Sequence, residues 1–367
     1  MSSSGATGAG TARYAQRWVG TNDRSSYRAL AGLTVSSIGL GTYLGDEDAA
    51  TDLLYREAIR TAVASGCNLI DAAINYRYQL SERAIAAALR QLAGEGFPRE
   101  EIVICTKGGF IPLDPAHPTN PRTYFARTFQ EAGIASVDDI VAGCHVLTPR
   151  YLRHQLDQSL ANLGLTSVDV YYVHNPETQL LEVPRTEFLG RVRDVFEALE
   201  GAADEGKIRI YGAATWDGFR VPPARQDHLE LAELVEIAHE LAGDAHHFRV
   251  VQLPLNLAMP EALTQPTQTV VGQAMPLLQA ADRLGVQVVT SAALLQTRLL
   301  GRLPASLEPA LAPLRTDAQR CLQFGRSAPG VTAALVGMKR CEHVAENLEV
   351  LRVPPLAETQ FAGLIGG

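Results

Sequence analysis

From residue 27 onward, short apolar or β-branched runs alternate with longer stretches in which apolar positions recur every three or four residues. The short runs predict strands over 36–39, 68–71, 102–106, 168–174, 208–214, 250–253, 286–290 and 333–336. The longer stretches predict helices over 52–65, 81–92, 149–163, 188–205, 229–241, 275–284, 317–326 and 342–351. Local signals support these boundaries. Ser81 precedes Glu82, Thr148 precedes Pro149, and Pro276 stands near a helix start. Gly66, Gly164, Gly206 and Gly285 follow the last periodic residue of four helices, where a left-handed stop is easiest without a Cβ.

Eight strands in strict alternation with helices predict a closed parallel (β/α)8 barrel, an α/β fold of the TIM type with long loops at its C-terminal face. A doubly wound sheet would carry a phosphate-binding glycine loop after its first strand, and none stands there. The barrel is expected over residues 27–355 as one domain, opened by a small hairpin over 27–30 and 33–35. Residues 1–26 are rich in Ser, Gly and Ala and read as a flexible tail, and 356–367 as a second tail. The glycines at 5, 8 and 10 follow no strand, so they carry no nucleotide-loop meaning. Two connections are long, 108–147 and 254–274, and both leave the C-terminal ends of strands, where barrel enzymes hold their active sites. The first, with its prolines and Tyr124, Phe125 and Phe129, reads as a lid insertion.

Composition narrows the class. Hydrophobic residues make up 46% of the 367 and charged residues 20%, which is globular and not disordered. Lys plus Arg number 32 against 40 Asp plus Glu, a net charge of −8 that disfavours nucleic acid or an anionic membrane as partner. The five cysteines are scattered without paired spacing, so they read as reduced thiols and not as a disulfide frame or zinc site. The opening residues lack a signal peptide's apolar core, and no apolar run is long enough to span a membrane. A cytoplasmic protein is expected. Cys144, His145, His239, His246 and His247 offer no ligand spacing, so no metal is expected either. Neither a Gly-x-Ser-x-Gly elbow nor a P-loop occurs, against hydrolase and kinase classes.

The chemistry lies at the strand ends. Asp71, Lys107 and His174 each close a predicted strand or stand next to its end, and Tyr76 follows Asp71 by five residues. A barrel would bring these groups around one mouth. A tyrosine phenol is a weak acid near neutrality. A neighbouring ammonium stabilises its phenolate, and a carboxylate keeps that ammonium charged and oriented. An imidazole beside the phenol can hydrogen-bond a carbonyl oxygen. Such a set suits proton donation during carbonyl reduction, and since no side chain supplies hydride, a nicotinamide or flavin cofactor is implied.

Asp71-Ala-Ala-Ile-Asn-Tyr76 with Ser81-Glu82, Thr106-Lys107, and the strand ending Tyr-Tyr-Val-His174 together resemble the motifs of the aldo-keto reductase family. The run from Leu33 to Thr42 resembles that family's opening strand, and the run from Gly337 to Asn347 resembles its cofactor-closing segment. The style is nearest to the branch that includes potassium-channel β subunits, whose aromatic after the fifth strand is matched by Trp216. The resemblance implies Tyr76 as general acid/base, Asp71 and Lys107 as its tuning pair, and His174 as the carbonyl-orienting group. It implies cofactor contacts from Thr42, Asp71, Thr215, Gln252, Ser291, Gly337, Lys339, His343, Glu346 and Asn347. NADP(H) is expected in preference to NAD(H), because Lys339 with His343 can pair with a 2′-phosphate. The expected activity is reduction of a small aldehyde or ketone; the alternative is a regulatory or sensor barrel that binds NADP(H) with little turnover. Several positions depart from the family pattern: Ala214 and Thr215 replace a Ser-Asn or Ser-Arg pair, Thr290 replaces an aromatic, and Ala292 and Ala293 replace Pro-Leu. Lys339 stands where a small hydroxyl residue is common, and His343 where Arg or Gln is common.

Overall fold

The computed structural model describes residues 5–116, 120–304, 307 and 309–365. In chain order its strands are β1 (Tyr27–Leu30), β2 (Leu33–Ser36), β3 (Ile38–Gly41), β4 (Leu69–Asp71), β5 (Val103–Gly108), β6 (Ile140–Val141) and β7 (His145–Val146). They continue as β8 (Val168–His174), β9 (Ile208–Ala214), β10 (Phe248–Pro254), β11 (Gln268–Val270), β12 (Gln273–Met275), β13 (Gln287–Ser291) and β14 (Val331–Gly337). β3, β4, β5, β8, β9, β10, β13 and β14 close into a parallel barrel in that order, as expected. Each barrel strand is covered by helices outside and by neighbouring side chains inside, so it can be apolar throughout. All seven residues of β8 are buried.

The helices are α1 (Gly8–Gln16), α2 (Ala49–Val63), α3 (Leu80–Gly94), α4 (Pro121–Phe125), α5 (Pro149–Leu163) and α6 (Arg185–Asp204). They continue as α7 (Leu231–Ala242), α8 (Glu261–Thr264), α9 (Leu277–Arg283), α10 (Asp317–Ser327), α11 (Cys341–Leu348) and α12 (Glu358–Ile365). α5 shows how sequence sets limits: Pro149 opens it, and Gly164 closes it at φ 64. The first barrel strand begins two residues later than expected, because Ser36 still pairs with Tyr27 in the hairpin. That hairpin closes the N-terminal end of the barrel, where Leu30, Leu33 and Val35 pack on Leu69, Val103 and Tyr172.

The presumed tails differ from expectation within the described residues; residues 1–4 and 366–367 lie outside them. Ala6 N–H donates to Asp169 Oδ1 at 2.6 Å, Thr7 N–H to the Glu100 carbonyl at 3.0 Å, and the buried Tyr14 hydroxyl to the Val63 carbonyl at 2.6 Å. Small residues read as flexible because they are poor in apolar area, yet here they permit close approach: a Cβ on Gly10 would meet Glu100 O at 2.3 Å. At the other end, α12 buries Phe361 against Phe324, ring centres 5.3 Å apart.

The long insertion is also more anchored than a lid. Residues 117–119 lie outside the described part; around them Tyr124, Phe125 and Phe129 are buried, and Phe129 stands 5.2 Å from the ring of Tyr151 on α5. These aromatics cover the flank of the barrel.

Candidate active site

The parallel register brings the strand-end residues to common layers. Gly337 pairs with Gly41 and Gly41 with Asp71, while His174 pairs with Ala214 and Ala214 with Gln252. A cleft of about 590 Å³ opens over these layers. Of the sequence candidates, Thr42, Asp71, Tyr76, His174, Thr215, Gln252, Ser291 and Gly337 line it. Lys107 lies just beneath, 1% exposed.

Lys107 is the hub. Its Nζ donates to Asp71 Oδ1 at 2.5 Å, to the Ala72 carbonyl at 2.8 Å and toward Tyr76 Oη at 3.4 Å. The other Asp71 oxygen accepts from Gln252 Nε2 at 2.9 Å, so both carboxylate oxygens are engaged. Thr42 braces the same strand end: its N–H and its hydroxyl both donate to the Asp71 carbonyl, at 3.1 and 2.9 Å, and its hydroxyl also meets that of Ser81. The Tyr76 ring stands edge-on to His174 with centres 5.8 Å apart, and Tyr43 covers its other side at 4.9 Å.

Burial is the largest effect on all three titratable partners. It raises the Tyr76 phenol; the Lys107 charge works against it without overcoming it. The expected lowering by lysine is therefore present, but outweighed by desolvation. Burial would lower Lys107, but Asp71 and Tyr76 overcome it and hold the ammonium above its ordinary value. His174 is pushed well below the ordinary imidazole value by burial, then by the Lys107 charge, so it is neutral near pH 7.

Several site residues carried no sequence signal. His145 of β7 comes from the insertion: its ring Nε2 bonds the His174 carbonyl at 2.7 Å and its Nδ1 meets Gln179 Nε2 at 2.9 Å. Burial drives His145 to a pKa of about 4, consistent with a neutral ring that accepts from Gln179 and donates to the carbonyl. Phe110 lies edge-on between the two imidazoles, 5.1 Å from His145 and 5.0 Å from His174, and among the described residues of the insertion it is the one that lines the cleft. The cleft also takes Ala292, Ala293, Leu294, Gln296 and Thr297 from the loop after β13. In that segment Ala292, Leu295, Gln296 and Thr297 all have positive φ. The connection over 254–274, expected at the site, contributes no lining residue beyond the strand end.

The nucleotide candidates divide. Lys339, His343, Glu346 and Asn347 do not line the cleft; they follow β14 and run along α11. A Cβ on Gly45 would stand 3.6 Å from Lys339 Nζ, which places this ammonium over the loop after β3. His343 is exposed, Glu346 half-buried, and Asn347 is buried with its Oδ1 unpartnered among the described residues. Asn75 Oδ1, Thr215 Oγ1 and His174 Nδ1, on residues of the cleft wall, are likewise buried and unpartnered. Buried polar atoms normally find partners, so this wall fits a polar ligand such as a nicotinamide nucleotide.

An eight-stranded α/β barrel with a Tyr-Lys-Asp-His cluster at the C-terminal mouth defines a class of barrel proteins equipped for acid–base chemistry. The aldo/keto reductase family model matches residues 37–231, and the chain belongs to that family. Among curated relatives, an NADH-specific methylglyoxal reductase from Escherichia coli is 28% identical over 207 residues, 55% of this chain and 54% of that protein. A D-threo-aldose 1-dehydrogenase from a Pseudomonas species is 27% identical over 192 residues, 50% of this chain and 51% of that protein. The chain thus matches about half the length of these relatives. An aldo/keto reductase from Klebsiella pneumoniae, solved with NADP and acetate, shares the fold at TM-score 0.60 and 21% identity, covering 94% of this chain and 93% of that one. Glycerol dehydrogenase from Gluconobacter oxydans gives TM-score 0.66 at 17% identity, covering 94% and 95%. Among the described residues no helix is long and apolar enough to cross a membrane.

Proposed function

We propose that this protein reduces a small aldehyde or ketone to the alcohol with a nicotinamide dinucleotide, NADP(H) in preference to NAD(H). The observation that carries the reading is the Lys107 ammonium, held 2.5 Å from Asp71 and 3.4 Å from the Tyr76 hydroxyl beneath the cleft. The dinucleotide supplies hydride, which no side chain can. Tyr76 donates its phenolic proton to the nascent alkoxide oxygen. The resulting phenolate is stabilised by Lys107, and Asp71 keeps that ammonium charged in a buried site where it would otherwise lose its proton. Neutral His174 keeps one ring N–H to orient the substrate carbonyl, and the chain His145–Gln179 fixes the backbone that carries it. Thr215, Gln252 and Ser291 would hold the nicotinamide and phosphate end of the cofactor, with Lys339 and His343 near its 2′-phosphate and Glu346 and Asn347 near the adenine. The test is consumption of NADPH and NADH with a panel of small carbonyls. Oxidation of neither nucleotide with any aldehyde or ketone, by protein shown to bind the nucleotide, would refute the reading in favour of the sensor alternative.

A further inference from the structure

Three residues beyond His174, Glu177 is buried at 5% exposure in the turn that follows β8. One carboxylate oxygen accepts three successive backbone N–H groups: Trp216 at 2.7 Å, Asp217 at 3.2 Å and Gly218 at 3.4 Å. The other oxygen is buried without a partner among the described residues. The clasped turn follows β9 and begins with Thr215 and Trp216, both of which line the cleft. Trp216 is nonetheless 45% exposed. Burial of its own ring therefore fixes its position only in part.

We propose that Glu177 is a positioning residue for the cleft, clasping the turn that sets Thr215 and Trp216 against the ligand and slackening that turn when the carboxylate takes up a proton. An ionised carboxylate draws together several N–H dipoles; the neutral acid keeps only the weaker acceptor strength of a carbonyl oxygen. Burial, opposed by those N–H groups, pushes Glu177 up to about 7, so both states are populated near neutrality. No charged side chain is bonded to Glu177 among the described residues. On the turn, Arg220 is committed to Asp217 at 2.9 Å and to Glu261 of α8 at 2.7 Å. Arg191 of α6 and His145 of β7 pack on the same segment but bond Gln179, and His174 caps the preceding strand. A carboxyl with a raised pKa also costs stability when ionised. Between its ordinary value and about 7 the folded chain holds a proton that the unfolded chain has lost, so the fold weakens as the pH rises across that interval and levels off above it. Glutamine would fill the same space without that cost, which is why a purely structural role explains the carboxylate poorly.

The inference rests on the reductase reading only for the identity of the ligand, so its main test needs no turnover. The chain has two tryptophans, and Trp18→Phe leaves Trp216 as sole reporter. Acrylamide quenching of Trp216 should rise as pH falls, with a midpoint near 7 in this background, and should lose that transition when Glu177→Gln is added. If Trp18→Phe does not fold, the Trp216→Phe chain supplies the Trp18 contribution to subtract from the wild type. Thermal unfolding should show the wild type losing stability relative to Glu177→Gln as pH rises from the ordinary carboxyl range to about 7, with little further loss above it. At saturating dinucleotide the carbonyl KM should be about threefold higher at pH 6 than at pH 8 in the wild type, with a ratio near one in the glutamine variant. A quenching constant that does not change with pH, or a transition that survives Glu177→Gln, overturns the proposal. A transition that follows Glu177 in a protein without carbonyl turnover upholds it and sinks the reductase reading instead.

Discussion

The Lys107 ammonium lies 3.4 Å from the Tyr76 hydroxyl and 4.9 Å from the centre of the same ring, so one cation serves both the oxygen and the π face of the phenol. Both contacts favour the phenolate over a neutral replacement of the lysine, since a cation is attracted to the anionic oxygen and to the electron-rich ring. They are made in a site that desolvation otherwise tilts toward the neutral phenol.

Tyr76→Phe removes the transferable proton while keeping the ring that packs on Tyr43 and His174. Carbonyl reduction should fall by about two to four orders of magnitude, the range for loss of a positioned general acid, with dinucleotide binding retained. Turnover near the wild-type rate in a steady-state assay would place the proton donor elsewhere.

Lys107→Met should lose both activity and stability. The substitution strands Asp71, 4% exposed, without its cation, and breaking a buried pair from one side costs about 3–5 kcal/mol. Urea unfolding at pH 7 measures the loss. An active variant of unchanged stability would mean that the pair tunes nothing.

In the reduction direction, with carbonyl and dinucleotide saturating, kcat should stay level from about pH 6.5 to 9.5. The raised Tyr76 phenol keeps its proton past its ordinary value and is lost as donor only above it. The lowered His174 gains a proton only below its ordinary value. An acidic limb inside that window would contradict the His174 assignment, and a basic limb the Tyr76 assignment.

Lys339→Ser tests the nucleotide choice. NADPH should bind about five- to thirty-fold more tightly than NADH to the wild type, the yield of one exposed charge-assisted contact of about 1–2 kcal/mol. The preference should shrink in the serine variant, and its salt dependence should weaken. Titration of both nucleotides at low and high salt decides this; a wild type that prefers NADH, as one relative's name describes of that protein, would overturn the expectation.

Gly10→Ala probes the N-terminal helix. The added carbon would meet Glu100 O at 2.3 Å and its carbonyl carbon at 2.8 Å, both backbone atoms that cannot swing aside. Such overpacking costs about 1–3 kcal/mol, and because α1 packs on the hairpin that closes the far end of the barrel, kcat should not change. Equal stability of the alanine variant would show that α1 is not seated where these contacts put it.

Alternation along the chain is enough to specify the barrel. Strands buried on both faces are apolar for most of their length, helices with one buried face are periodic, and the alternation of the two leaves little freedom of topology; hence β8 and β9 occupy 168–174 and 208–214 as expected. Asp71, Tyr76, Lys107 and His174 were legible for the same reason, since a strand end marks the mouth of a barrel wherever it occurs in the chain. What tertiary structure alone decided were effects that depend on distant neighbours. Burial outweighs Lys107 at Tyr76 because the surrounding strands and Tyr43 remove water, which no local spacing encodes. Residues 5–17 are seated because Glu100, Glu101 and Asp169 offer partners to a segment too poor in apolar residues to announce itself. Phe110, His145 and the loop after β13 enter the site through positive-φ turns and long-range hydrogen bonds. Glu177 gains its role from three N–H groups that begin thirty-nine residues away, a convergence fixed only when β8 and β9 pair side by side.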